Sequence, residues 1–341
     1  LGSTELAEVR APSRVEPSTP LRLDPERGRG VEGPSLITGK MAVPDLLRFG
    51  TSTWTYEGWQ GLIYTNAYPK GRFKQDCLAE YARYEYRGEP LFRTVGLDQT
   101  FYRPPTAGQL AHYAQQLPPG FDMCSKVWED ITIPQFAGHP RYGTKAGQPN
   151  PRFLDAKLFL EQVLAPCREE FNTHTGPFVF EFQRWGISPE EFLPRLDAFL
   201  GHLPKDHAYA IEIRNAALLG PDYQAILKAH GVAHAYNHWT AMPPLTEQHR
   251  RMAQSFTAPF ALFRLLTPLG TKYEDAVKAA EPYRKIVQPL PQMRADVVSL
   301  ARQAVAEGRR AYVLVNNRAE GCAPLTIQAL VDELIVQAGS Q

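Results

Sequence analysis

The sequence predicts a (β/α)8 TIM-type barrel in a single domain, and three observations predict it. Short apolar runs alternate with longer amphipathic stretches from Arg48 onward, the order of parallel βα units. Roughly eight such units fall within ~290 residues, the usual size of this fold. Polar side chains recur near the C-terminal ends of the runs, where a barrel gathers its site. A doubly wound open sheet competes, but the first run ends in GTSTW rather than the GxGxxG of a dinucleotide fold. No nucleotide cofactor is therefore expected.

Residues 1–40 stand apart. They contain no aromatic residue, several Pro and Gly, and an even mixture of Arg and Glu. Such a segment cannot bury enough apolar surface to offset its ordering entropy. A disordered or non-native N-terminal extension is expected over 1–40, with the barrel over 41–341.

The strand candidates then follow in order: 48–54, 92–102, 121–128, 176–183, 208–215, 232–239, 260–267 and 311–318. The fifth, YAIEIRN, is the most telling. Alternation puts Tyr209, Ile211 and Ile213 on one face and Ala210, Glu212 and Arg214 on the other. An acid and a base sharing a strand face suit a barrel interior that ends in a polar site. Between the strands lie helical patterns. FKQDCLAEYARYEY and TAGQLAHYAQQL follow the first two strands, and Pro166 should kink or break DAKLFLEQVLAPCREEF. SPEEFLPRLDAFLGHL opens with an N-cap Ser and a Pro at the first helical position, and PDYQAILKAHG closes on a C-terminal Gly. MRADVVSLARQAVAEG and LTIQALVDELIVQAG complete the series. Two long insertions, 131–152 and 267–291, follow the third and seventh strands and are candidate lids.

Composition bounds the function. With 43% hydrophobic and 11% aromatic residues the chain can build a large core, and a formal net charge of +1 gives no field to recruit nucleic acid or a membrane. No apolar run approaches the ~18 residues of a membrane span. Cys77, Cys124, Cys167 and Cys322 are dispersed without a CxxC pair, as reduced cytosolic thiols are. A cytoplasmic protein is expected.

The motifs GTSTWTYEGWQGLIY, TVGLDQTFYRPP, FDMCSKVW, GPFVFEFQ, AIEIRN, ALFRL and YVLVNNRAEGCAP occur in the order typical of the YecE-like family, domain of unknown function 72. The chain resembles that family from Arg48 to its C-terminus. The resemblance implies a TIM-type barrel and a shared polar pocket, but no established reaction. Members commonly read VEINSTFY where this chain has VGLDQTFY, so Gly96 replaces a carboxylate and Asp98 an amide. Glu181 stands where a Gln is usual, and a further Asn usual near Thr326 is missing. The family's polar network is rewired here.

The candidate catalytic residues are Glu212, Asp98, Glu181 and Lys126, with Glu212 foremost. Arg214, Arg264, Asn316, Asn317, Trp54, Tyr102 and Trp128 are candidates for substrate binding. Three carboxylates facing three cations are neutral in sum, so each buried charge can have a partner. A structural pairing of Glu212 with Arg214 is the plain alternative. Lys126 can hold an anion or, if desolvated, form a Schiff base. His234 and His238 share one strand parity while the other strand ends lack His, which disfavours a His-rich metal site. Asp98, Glu181 and Glu212 offer oxygens that suit Mg²⁺. Ser52, Ser125 and Cys124 lack the context of a nucleophilic triad. Tyr56, Trp59 and Trp185 join the candidate aromatic residues at the barrel mouth.

Three functions follow as expectations. The first is a hydrolase or isomerase acting on a small polar or anionic substrate at the C-terminal mouth. The second is a non-catalytic sensor or binding protein for such a ligand. The third is a nucleic-acid-processing enzyme, which rests on fold analogy alone.

Overall fold

Eight parallel strands wind into one sheet whose two edge strands meet. The computed structural model describes residues 43–184 and 188–338; the extension expected over 1–40 and Trp185 lie outside them. The strands are β1 (Leu47–Thr51), β2 (Thr94–Leu97), β3 (Asp122–Lys126) and β4 (Thr175–Phe182). They continue with β5 (Tyr209–Ile213), β6 (Ala233–His238), β7 (Phe260–Leu265) and β8 (Arg310–Val315). Each strand from β2 to β8 pairs in parallel with the next, and β8 pairs with β1. The single seam is between β1 and β2. There Arg93 N–H donates to the Phe49 carbonyl at 2.9 Å, and Gly50 and Gly96 let the two backbones close in. A Cβ on Gly96 would lie 2.8 Å from the Ser52 carbonyl oxygen, and one on Gly50 would overlap that of Thr94.

Strand alternation sorts the side chains into two cores. Tyr209, Ile211, Ile213, Phe178 and Phe180 point outward into the layer under the helices. Cys124, Val179, Ala210, Ala235, Leu262 and Leu314 fill the barrel interior. Small interior residues such as Ala210 and Ala235 leave room above them, and the charges of the site occupy that upper layer. The four cysteines are free and buried.

The helices obey the signals in the sequence. Ser188 and Glu191 form a reciprocal capping box on either side of Pro189. Gly231, at φ 66°, ends the helix Pro221–His230 in the left-handed conformation that glycine adopts without strain. Pro166 neither breaks nor sharply ends its helix. A π-helical segment, Leu160–Leu164, runs directly into Ala165–Glu170, and its widened turn accommodates the proline's missing N–H. The stretch after Phe73 is split into Phe73–Asp76 and Leu78–Ala82 rather than one helix. The second strand is shorter than expected: after Leu97 the chain turns into a 3-10 helix, Asp98–Phe101.

Both insertions are pinned back onto the frame. In 131–152, Arg141 and the Tyr142 hydroxyl donate to Glu129 at 2.5 and 2.8 Å, and Arg152 pairs with Asp130 at 3.1 Å. In 267–291, the Leu290 N–H donates to buried Glu320, which Arg294 also grips through two nitrogens. Among the described residues no helix is long and apolar enough to cross a membrane.

Candidate functional site

The site is built on the ends of β2 to β8 at the C-terminal mouth. Arg264, on β7, is the hub. Its Nη1 donates to Glu212 Oε2 at 2.5 Å, and its Nη2 spans both oxygens of Asp98 at 2.7 and 2.8 Å. Arg214 donates through Nη2 to Glu181 Oε2 at 2.7 Å and touches Glu212 Oε1 with the same nitrogen, without hydrogen-bond alignment. Lys126 Nζ reaches Glu181 Oε2 at 2.8 Å and lies 3.8 Å above the Phe101 ring. Three acids and three bases thus form one continuous network, as the charge count in the sequence led us to expect.

Local structure sets each member. Glu212 and Glu181 are in register on adjacent strands, so their carboxylates emerge side by side. Asp98 opens the 3-10 turn after β2. The Thr100 hydroxyl contacts the carbonyls of Leu97 and Lys126, both at 2.6 Å, which ties that turn to β3. A register shift between Met123 and Ser125 marks β3 just before Lys126, as bulges near sites often do.

Burial works to raise the Glu181 pKa, but the positive charges of Arg214, Lys126 and Arg264 outweigh it and hold the carboxyl well below its usual range. Burial likewise opposes the charge on Arg264, and Asp98, Glu212 and Glu181 more than compensate, binding its proton tighter than in water. Both groups are permanently ionised near neutral pH.

Above the network opens a cavity of about 390 Å³. Asp98, Lys126, Glu181, Arg214, Arg264 and Asn316 line it, as does Tyr102 at the rim. Glu212 does not. It is fully buried beneath the two guanidinium groups. Asn317 also lies outside: its Oδ1 accepts the Ala323 N–H at 2.8 Å at the start of the last helix. Trp54 turns into the outer core, edge-on to Tyr113 at 5.3 Å. Trp128 precedes the short helix Glu129–Thr132 and meets Arg152 across 5.9 Å. Trp59 is buried beside Tyr56 and Tyr64.

The cavity also gathers residues the strand pattern did not single out. Trp239 follows β6, with the Arg214 guanidinium 4.7 Å from its ring. Tyr273 comes from the second insertion and Arg318 from the turn after β8, with 4.7 Å between ring and guanidinium. Arg318 was inside the eighth strand candidate but carries no periodicity signal. Of the candidate aromatics, Tyr56 lines the cavity and packs on Tyr283 of the second insertion at 5.4 Å. Tyr102 and Tyr273 are the exposed rim, at 62% and 51%, and Arg141 of the first insertion stacks on Tyr102 at 5.1 Å.

Arg318 changes the charge balance. Asp98, Glu181 and Glu212 oppose Lys126, Arg214, Arg264 and Arg318, and no carboxylate partner for Arg318 occurs among the described residues. Three acids against four bases leave one positive charge. Arg214 Nε and Nη1, buried and facing no acceptor, add unspent donors. Metal binding is poorly served: each of the three carboxylates already carries a fixed cation, and no cluster of His, Cys, Asp and Glu suits a metal among the described residues. A Mg²⁺ ion would have to displace those cations against their repulsion.

The family described as protein of unknown function DUF72 matches residues 48–340. Among solved structures, a DUF72 family protein from Enterococcus faecalis V583 is similar at 18% identity and TM-score 0.57, covering 84% of this chain and 95% of that one. Another, from Thermotoga maritima MSB8, is similar at 17% identity and TM-score 0.55, covering 84% and 98%. At these identities the likeness concerns the fold. No curated protein matches the sequence significantly.

Proposed function

The chain belongs to the DUF72 family of proteins of unknown function, and we propose that it is an enzyme of hydrolase or isomerase type acting on a small polar anion at the barrel mouth. The observation that carries this reading is the surplus positive charge of the cavity, Arg318 set beside a buried ion network that fixes Lys126, Arg214 and Arg264 in place. Preorganised donors of this kind stabilise negative charge that develops in a reaction, with no reorganisation at the moment it forms. The carboxylates divide into two roles. Glu212, sealed below, positions both guanidinium groups. Asp98, at the cavity wall with Arg264 as its partner, is the proton acceptor, and the Lys126 ammonium, at the end of the neighbouring strand, is the donor. In hydrolysis, water gives a proton to Asp98 as its oxygen bonds to the electrophilic atom, and the leaving oxygen takes a proton from Lys126. In isomerisation, Asp98 removes a proton from one carbon and returns it to the neighbouring one, and the Lys126 and Arg214 charges stabilise the oxyanion formed between the two transfers.

One observation favours a second reading, a non-catalytic binder of the same ligand. Glu181 is held ionised by three cations, which makes it a weak proton acceptor. Lys126→Met separates the two readings, because Glu181 keeps Arg214 and the fold should survive. Turnover of a panel of phosphorylated and carboxylated metabolites is expected to fall roughly 100-fold with melting temperature nearly unchanged. Ligand binding without turnover in the parent protein would overturn catalysis and leave the binder.

A further inference from the structure

The lining of the cavity constrains its ligand beyond charge. At about 390 Å³ it lies near the lower end of small-molecule sites, room for one substituted ring rather than a dinucleotide. Two glutamine side chains are oriented by bonds made through their amide nitrogens, while Asn316 accepts the Arg318 N–H through Oδ1 at 3.0 Å and keeps its NH₂ for a ligand. Gln99 Nε2 donates to the Tyr113 hydroxyl at 2.7 Å, and Gln183 Nε2 donates to Glu181 at 3.0 Å. Their carbonyl oxygens are the ends left for a ligand, and a carbonyl oxygen asks for a donor. A simple anion supplies only acceptors, so it would satisfy Arg318, Arg214 and the Asn316 NH₂ but not the carbonyl oxygens of Gln99 and Gln183. Thr53, Thr55 and Thr267 add hydroxyls to the lining. Among the described residues Leu266 is the one aliphatic side chain lining the cavity, so a flat heteroaromatic base would leave many of these polar groups unpaired. Trp239, beside Arg214, supplies a broad apolar surface inside, joined by the ring of Tyr56.

Resting on the reading of the site as one for a small anion, we infer that the ligand is a monosaccharide-sized sugar bearing one acidic group, with its ring against Trp239 and its anion at Arg318. Its hydroxyls donate to Gln99 and Gln183. A sugar phosphate and a sugar acid share this chemistry.

Calorimetric titration of the full chain tests it, with hexose 6-phosphates, hexuronates, neutral hexoses, glycerol 3-phosphate, inorganic phosphate and nucleoside monophosphates as probes. The sugar anions of at least one configuration are expected to bind about tenfold or more tighter than both the neutral hexoses and glycerol 3-phosphate. A phosphate-only or uronate-only preference tells the two sources apart, and either supports the inference. Arg318→Gln is expected to bring the sugar anions within roughly twofold of the neutral sugars, and Trp239→Ala to erase the advantage of a ring over glycerol 3-phosphate. Should either variant fail to fold, the panel on the parent protein alone decides the ligand class. Equal or tighter binding of glycerol 3-phosphate, inorganic phosphate or nucleoside monophosphates would overturn the sugar assignment and leave the anion reading standing. Binding of no anion at all would overturn both.

Discussion

Glu212 is the residue whose meaning changes most between sequence and structure. On the strand it is a polar residue with reach into a barrel; in three dimensions it is sealed under Arg214 and Arg264. Removing its charge takes one carboxylate from each of two buried guanidinium groups, leaving Arg264 to Asp98 and Arg214 to Glu181, and breaking a buried pair costs about 3–5 kcal/mol. Glu212→Gln is therefore expected to lower the melting temperature by several degrees, whereas Lys126→Met is not; scanning calorimetry of the two variants compares them directly. Acid should destabilise the protein through several groups, with Glu181 and His234 foremost among the buried ones. The folded Glu181 pKa lies below its unfolded value of about 4.3, so its contribution is present above that pH and is lost as pH falls toward the depressed folded value. Burial pushes His234 down to about 4. Its neutral form is favoured in the fold, so stability also declines as pH falls from about 6.5 toward 4. Melting temperature should drop in both ranges. His234→Gln is expected to lessen the decline in the upper range, to which His238 and His249, also depressed by burial, contribute; an unchanged decline in that variant would contradict the assignment of His234.

At the scale of elements, the strands were legible because each carries an apolar outer face of period two against the helices, as Tyr209, Ile211 and Ile213 do. The capping box at Ser188 and the terminal Gly231 were legible for the same local reason. The seam was not. That Gly96 departs from the family pattern is visible in sequence, but its close approach to Ser52 is a contact across more than forty residues. Gly96→Ala would press a Cβ into the Ser52 backbone, and such overpacking costs roughly 1–3 kcal/mol. A melting temperature lowered by several degrees is expected for this variant, and an unchanged one would show that β1 and β2 are not held this tightly. The aromatic residues were the least legible. Trp54, Trp128 and Tyr102 all sit beside strand ends, and nothing in the alternation says which turn inward. Trp239, Tyr273 and Arg318 come from connections whose paths depend on packing between distant segments, such as the anchor of 267–291 on Glu320.

For the molecule as a whole, the chain's net charge of +1 gave no hint of its partner, because the useful charge is local. Surface pairs elsewhere cancel, while the mouth concentrates four bases over three acids in a partly water-excluded cavity where each charge acts more strongly than at the surface. Both insertions frame that mouth, one through Tyr273 and the other through Arg141 on Tyr102. The most direct measurement is the change in melting temperature of the full chain across a library of small metabolites matched in size and differing in charge, at low ionic strength. Anions should raise it while their neutral and cationic counterparts leave it unchanged, and Arg318→Gln should weaken the effect. Stabilisation by cations, or an equal response to all charges, would contradict a site built to receive an anion.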